Sequence, residues 1–132
     1  MIIGIGQAIA IGFAKSGCKR LFLADINLGA LEETQSLIQK DTPEAKTTLF
    51  KANVSEKQSV QDMIAKCVEV YGRLDFACNN AGVGATNTKT ADLSVEAFDR
   101  VNSINAQGVS LIIQMGTRGN LLTITGFLVP KV

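Results

Sequence analysis

The sequence contains no histidine, which removes the commonest general base, any His-based catalytic triad and the imidazole ligands of most zinc sites. Its three cysteines, Cys18, Cys67 and Cys78, stand far apart with no Cys-x-x-Cys pair. No metal site is expected from them; they are expected as small core residues in a reducing compartment, which points to the cytoplasm. No apolar run reaches the roughly 18–20 residues that span a bilayer. The first 14 residues include no basic residue before Lys15, so they do not have the form of a secretory signal. Lysine and arginine, 13 in all against 12 acidic residues, are scattered. Neither nucleic acid nor membrane is therefore an expected partner.

What the chain does have is apolar material: 46% of its 132 residues are hydrophobic. That is enough for one domain, residues 1–132, with strands buried on both faces. Strand-like and helix-like stretches alternate, which predicts a parallel sheet with crossover helices, the doubly wound α/β class. The pair Gly4-Ile5-Gly6 opens a helix to about Ser16, and Gly17 is placed to end it. Arg20–Asp25 reads as a short buried strand, and Asn27 as the cap of a helix that stops before Pro43. Thr47–Asn53 reads as the next strand. Ser55-Glu56-Lys57-Gln58 has the form of a capping box. The helix that follows repeats Val60, Ile64, Cys67 and Tyr71 and stops at Gly72. Leu74–Cys78 is expected as a strand and Gly82–Thr90 as a polar loop. Ser94 is expected to cap a helix carrying Phe98, Val101 and Asn105, and Leu121–Thr125 is the last expected strand.

Two features point to a dinucleotide. Glycines opening a helix let a pyrophosphate approach free N–H groups at the positive end of the helix dipole. Alone, a Gly-x-Gly pair occurs in many loops. Spacing strengthens it: Asp25 lies 19 residues after Gly6, at the expected end of the next strand. There a carboxylate can accept both hydroxyls of an adenosine ribose and repel a 2′-phosphate, favouring NAD(H) over NADP(H). A solvated carboxylate after a strand would look the same.

Asn79-Asn80-Ala81-Gly82 directly follows the apolar Leu74-Asp75-Phe76-Ala77-Cys78. This strand-to-turn sequence resembles the fourth-strand signature of the short-chain dehydrogenases/reductases, nicotinamide-dependent oxidoreductases built on one Rossmann domain. The resemblance covers roughly Gly4 to Thr125. It implies that Gly4, Ile5 and Gly6 belong to the pyrophosphate loop. Asp25 and Ile26 would lie at the adenosine ribose, and Asn79, Ala81 and Gly82 would form a turn beside that ribose. Asn53-Val54 stands where the family usually has Asp-Val reading the adenine edge. Asn105 resembles the family's catalytic Asn, which kinks its helix and holds a water in a proton relay. An exposed helix Asn is the alternative reading.

The resemblance also has gaps. Met1-Ile2-Ile3 is too short for the strand that precedes the glycine loop, so the Rossmann sheet is expected to be incomplete and marginally stable. The helix carrying Asn105 looks short, which puts the family's usual homo-oligomer in doubt. The catalytic Tyr-x-x-x-Lys is absent: the one tyrosine, Tyr71, has no Lys four residues on. The family's Ser position falls on Thr125 or Gly126, and only Thr125 would keep a hydroxyl there. The expectation is therefore a truncated, inactive form of an NAD(H)-dependent oxidoreductase acting on a hydroxyl or carbonyl group, its small-molecule substrate bound only in a complete protein. A non-catalytic dinucleotide-binding or partner-binding module is the alternative.

Overall fold

The computed structural model describes residues 4–84 and 89–117. The expected strand at Leu121–Thr125 lies outside the described residues, as do Thr125 and Gly126. Helix α1 (Ile5–Lys15) leads to strand β1 (Arg20–Asp25), then α2 (Leu28–Asp41), β2 (Lys46–Lys51) and α3 (Lys57–Tyr71). After a short 3₁₀ turn at Thr90–Asp92 come α4 (Val95–Asn102), a π-helical turn (Ser103–Gln107) and α5 (Gly108–Thr117).

Strands β1 and β2 pair in parallel, with Leu21 opposite Thr47, Leu23 opposite Leu49 and Asp25 opposite Lys51. Alternate side chains of a strand face opposite sides, and β1 uses both. Leu21 and Leu23 pack with Ala10 and Ala14 of α1 and Leu31 and Ile38 of α2. Phe22 packs the other way, with Val60, Met63 and Cys67 of α3 and Ile112 of α5. Its ring centroid lies 5.8 Å from that of Phe50. The sheet is thus covered by helices on both faces, the doubly wound α/β arrangement that the uninterrupted apolar run in β1 predicts.

The element ends follow local chemistry. Gly17 takes a φ of 92° and Gly72 a φ of 77°, left-handed values that glycine adopts freely. They close α1 and α3. Asn27 Oδ1 accepts the Ala30 N–H at 3.3 Å, and Ser94 Oγ accepts that of Ala97 at 3.2 Å, each replacing a helical partner the first turn lacks. The Tyr71 hydroxyl meets Thr48 Oγ1 at 2.9 Å and donates toward the carbonyl of Leu21 at 3.2 Å. It ties the end of α3 to both strands.

Two expectations are corrected. The capping box at Ser55–Gln58 does not form: Glu56 is the N-cap and makes no side-chain capping bond. Ser55 Oγ donates instead to Asn53 Oδ1 at 2.7 Å, and Gln58 turns to Asp62. An Asn acceptor two residues back competes successfully with the helix amides. Leu74–Cys78 pairs at a single residue, Phe76, rather than along its length. Its apolar pattern does report burial, since Leu74 and Ala77 are both in the core.

Candidate nucleotide-binding site

Chain direction gathers the site at one end of the sheet. Only four residues separate α1 from β1, so β1 runs back along α1 and the start of α1 lies at the end where β1 finishes. Gln7 Nε2 in the first turn of α1 reaches Thr34 Oγ1 of α2 at 3.3 Å, holding the two helices side by side. Helices α2 and α3 begin directly beyond the carboxyl ends of β1 and β2. Three helix N-termini therefore converge where both strands end. Their free N–H groups and partial positive charge favour an anion there, in the crevice where open α/β sheets bind ligands.

A cleft of about 60 Å³ opens at this end. Phe22, Met63 and Ile112 supply apolar walls, and Asp25, Asn79 and Asn80 supply polar groups. Val54 and Ala81 also line it. Asp25 is exposed at its edge, and Ile26, the next residue, is exposed without lining it. Asp25 Oδ1 accepts the Asn27 N–H at 2.9 Å, and Asn27 in turn caps α2. The carboxylate is thus aimed by the same turn that starts the helix. Gly4, Ile5 and Gly6 begin α1 at this end of the sheet, with Ile5 69% exposed, but they do not line the cleft itself.

Asn79 bears on what the cleft can hold. Its Nδ2 is buried without a hydrogen-bond partner among the described residues. An orphaned buried donor is costly unless something supplies an acceptor. Beside an exposed carboxylate and apolar walls, it fits a ligand with sugar or phosphate oxygens.

Asn105 lies in the π-helical turn and clamps the loop after the Asn-Asn-Ala-Gly turn. Its Oδ1 accepts the Val83 N–H at 2.9 Å and its Nδ2 donates to the Val83 carbonyl at 2.9 Å. A Cβ on Gly82 would stand 3.4 Å from Asn105 Oδ1, so the small residue lets the two segments meet. Single π turns inside helices are often functional, and here the turn carries a side chain that bridges to the loop at Val83.

Asn53, by contrast, is occupied locally. Its Oδ1 accepts from Ser55 N–H and Ser55 Oγ, and its Nδ2 donates to Glu56 Oε1 at 2.7 Å. Residue types and spacing do not reveal this network in advance; the run Asn-x-Ser-Glu was its only sequence signal. Cys78 lines the cleft, and burial pushes its thiol above its ordinary range, as it does for Cys18 and Cys67. All three rest as thiols at neutral pH and none is an activated nucleophile. Among the described residues no cluster of His, Cys, Asp or Glu could hold a metal ion, and no helix is long and apolar enough to cross a membrane.

Comparison with known proteins agrees with this geometry. A family model described as Enoyl-(Acyl carrier protein) reductase matches residues 2–129. Levodione reductase of Leifsonia aquatica is 33% identical over 108 residues, covering 82% of this chain and 40% of its own length. The crystal structure of levodione reductase superposes with a TM-score of 0.85 at 31% identity, over 88% of this chain and 45% of that one. NAD⁺-bound xylitol dehydrogenase gives a TM-score of 0.80 at 25% identity, over 86% of this chain and 43% of that one. The F189W actinorhodin polyketide ketoreductase with NADPH gives 0.80 at 25%, over 88% and 43%. The chain belongs to the short-chain dehydrogenase/reductase family. It spans less than half the length of the relatives it matches. Relatives of this fold include both an NAD⁺ and an NADPH complex, so the family defines a nicotinamide dinucleotide and leaves the choice between the two to local residues.

Proposed function

We propose that this chain holds NAD(H) by its adenosine half and belongs to an oxidoreductase acting on a hydroxyl or carbonyl group. Asp25 carries the reading. It is an exposed carboxylate at the end of β1, aimed by Asn27 and set at the rim of the same cleft as Asn79 and Ala81. A carboxylate has about four acceptor positions. One is used by Asn27, which leaves capacity for both ribose hydroxyls. Its charge opposes a 2′-phosphate, which favours NAD(H). Asn79 Nδ2 would face a sugar oxygen, and the first N–H groups of α1 would face the pyrophosphate. The nicotinamide ring, when bound, supplies the hydride chemistry. What these residues would do is bind and orient the dinucleotide. Asn105 keeps the cleft loop in register through Val83.

A second reading has its own support. The position four residues after Tyr71 is Asp75, and the Tyr71 hydroxyl is engaged by Thr48 and the Leu21 carbonyl. These 132 residues contain no Tyr-x-x-x-Lys, the pair to which the family's general acid–base transfer, worth about 10²–10⁴ in rate, would fall. Binding without turnover is the expected behaviour of this chain alone. Calorimetric titration with NAD⁺, NADP⁺ and ADP-ribose, run beside an assay of NADH formation on alcohols, tests both readings. Micromolar NAD⁺ binding that Asp25→Ala weakens supports the site. No binding by the wild-type protein would remove it, and turnover by this chain would remove the second reading.

A further inference from the structure

We infer that the free edge of β1 is a slot for an extended, apolar segment of another polypeptide, which joins the sheet as a strand. Among the described residues β1 pairs with β2 alone. The Lys46 N–H donates to the Lys19 carbonyl at 2.8 Å, and the Ala52 N–H to the Asp25 carbonyl at 3.0 Å. Successive residues of a strand turn their main-chain groups to opposite edges, so Leu21, Leu23 and Asp25 serve β2. Arg20, Phe22 and Ala24 turn theirs to the other edge. There the Arg20 carbonyl is met by the Cys18 thiol at 3.2 Å. The N–H and C=O groups of Phe22 and Ala24 have no partner among the described residues.

Burial sets this edge apart from that of an ordinary outer strand. Phe22 is 0% exposed, so its main-chain groups are shut away from water as well as unpaired. Buried main-chain groups of native proteins are nearly always paired. The other outer strand, β2, is only half-buried along 47–50 and carries an exposed lysine at each end, the form of an edge that faces solvent. The free groups of Phe22 and Ala24 recur two residues apart, about 6.6 Å, a spacing that another extended main chain matches. Its side chains would continue both faces of β1. One face meets Val60 and Ile112 beside Phe22, and the other meets Ala10 and Ala14 beside Leu21 and Leu23. A strand covered on both faces is apolar throughout, so the segment is a run of about five apolar residues, matching 20–24. The described strands of a second copy offer the solvent edge of β2 or the same recessed edge of β1, so the segment comes from a different polypeptide.

Amide hydrogen exchange on the whole chain tests this, with the end-capped peptide Lys-Val-Ile-Val-Ile-Val-Lys as the probe. In dilute protein alone, the Phe22 amide is expected to exchange about tenfold faster than those of Leu21 and Leu23, which are as deeply buried but bonded to β2. Millimolar peptide is expected to slow Phe22 and Ala24 by about tenfold or more. The same peptide N-methylated at every Val and Ile keeps its apolar side chains but has no main-chain donors there, and is expected to protect neither amide. A Phe22 amide as slow as that of Leu23 in protein alone would show the edge already satisfied and overturn the inference. Absence of protection by the peptide, or equal protection by its methylated form, would overturn it as well. Protection that grows with protein concentration in the absence of peptide would assign the edge to a second copy and overturn the choice of a different polypeptide.

Discussion

The Asn105 carboxamide and the Val83 peptide form a closed two-bond pair, each group both donating and accepting at 2.9 Å. The pair joins a helix to a loop 22 residues earlier in the chain. Asn105→Ala removes both bonds and leaves the Val83 peptide to water. The expected cost is about 1–2 kcal/mol in urea denaturation, with faster amide exchange at Val83. Asn105→Asp restores the acceptor alone and is expected to recover part of the loss. Exchange at Val83 identical to wild type in both variants would rule out the clamp.

Gly108 sets a second close approach. A Cβ there would meet Val54 Cγ2 at 3.0 Å and the Val54 carbonyl at 3.1 Å. Gly108→Ala must push α5 away from the cleft wall and is expected to cost about 1–3 kcal/mol, despite the better helix propensity of alanine. A more stable Gly108→Ala protein would show that this contact yields freely.

Asp25 makes the cofactor claim measurable. Asp25→Ala removes the ribose acceptor and the charge that opposes a 2′-phosphate. Binding of NAD⁺ is expected to weaken by roughly tenfold or more, and binding of NADP⁺ to weaken less or to improve. If the ratio of the two constants does not move, the preference comes from elsewhere.

Alkali should unfold the protein through its buried thiol. Cys67 is fully buried and its pKa is pushed up to about 12 by desolvation. The folded value lies above the unfolded one, so this contribution is complete below about pH 8.5 and is lost as pH rises toward 12. In that window the native state binds the extra proton, and stability falls by up to about 1.4 kcal/mol per pH unit. Cys67→Ala lowers stability at neutral pH but should flatten the alkaline limb. Parallel curves for wild type and variant would exclude Cys67 as its source; Tyr71, also raised by burial, would be the next group to test.

The elements legible in the sequence are those whose cause is local. The apolar run of β1, the Asn27 and Ser94 caps and the Gly17 and Gly72 stops each depend on a few adjacent residues, and each stands where spacing places it. The gathering of Asp25, Val54, Asn79 and Ala81 in one cleft follows from strand order. What was not legible depends on competition or distance. Ser55 could cap α3 or serve Asn53, and sequence alone does not rank the two. The π turn accompanies a contact between Asn105 and a peptide far earlier in the chain. The orphaned Asn79 nitrogen depends on which atoms the fold brings near it.

Tyr71 gives the molecule an optical property of its own. The chain has one tyrosine and no tryptophan, so near-ultraviolet emission comes almost wholly from a single ring. That ring's hydroxyl sits where α3 meets β1 and β2. Its fluorescence and circular dichroism therefore record one junction, the docking of α3 onto the paired strands. Unfolding can be followed at a known place in the structure without attaching a dye.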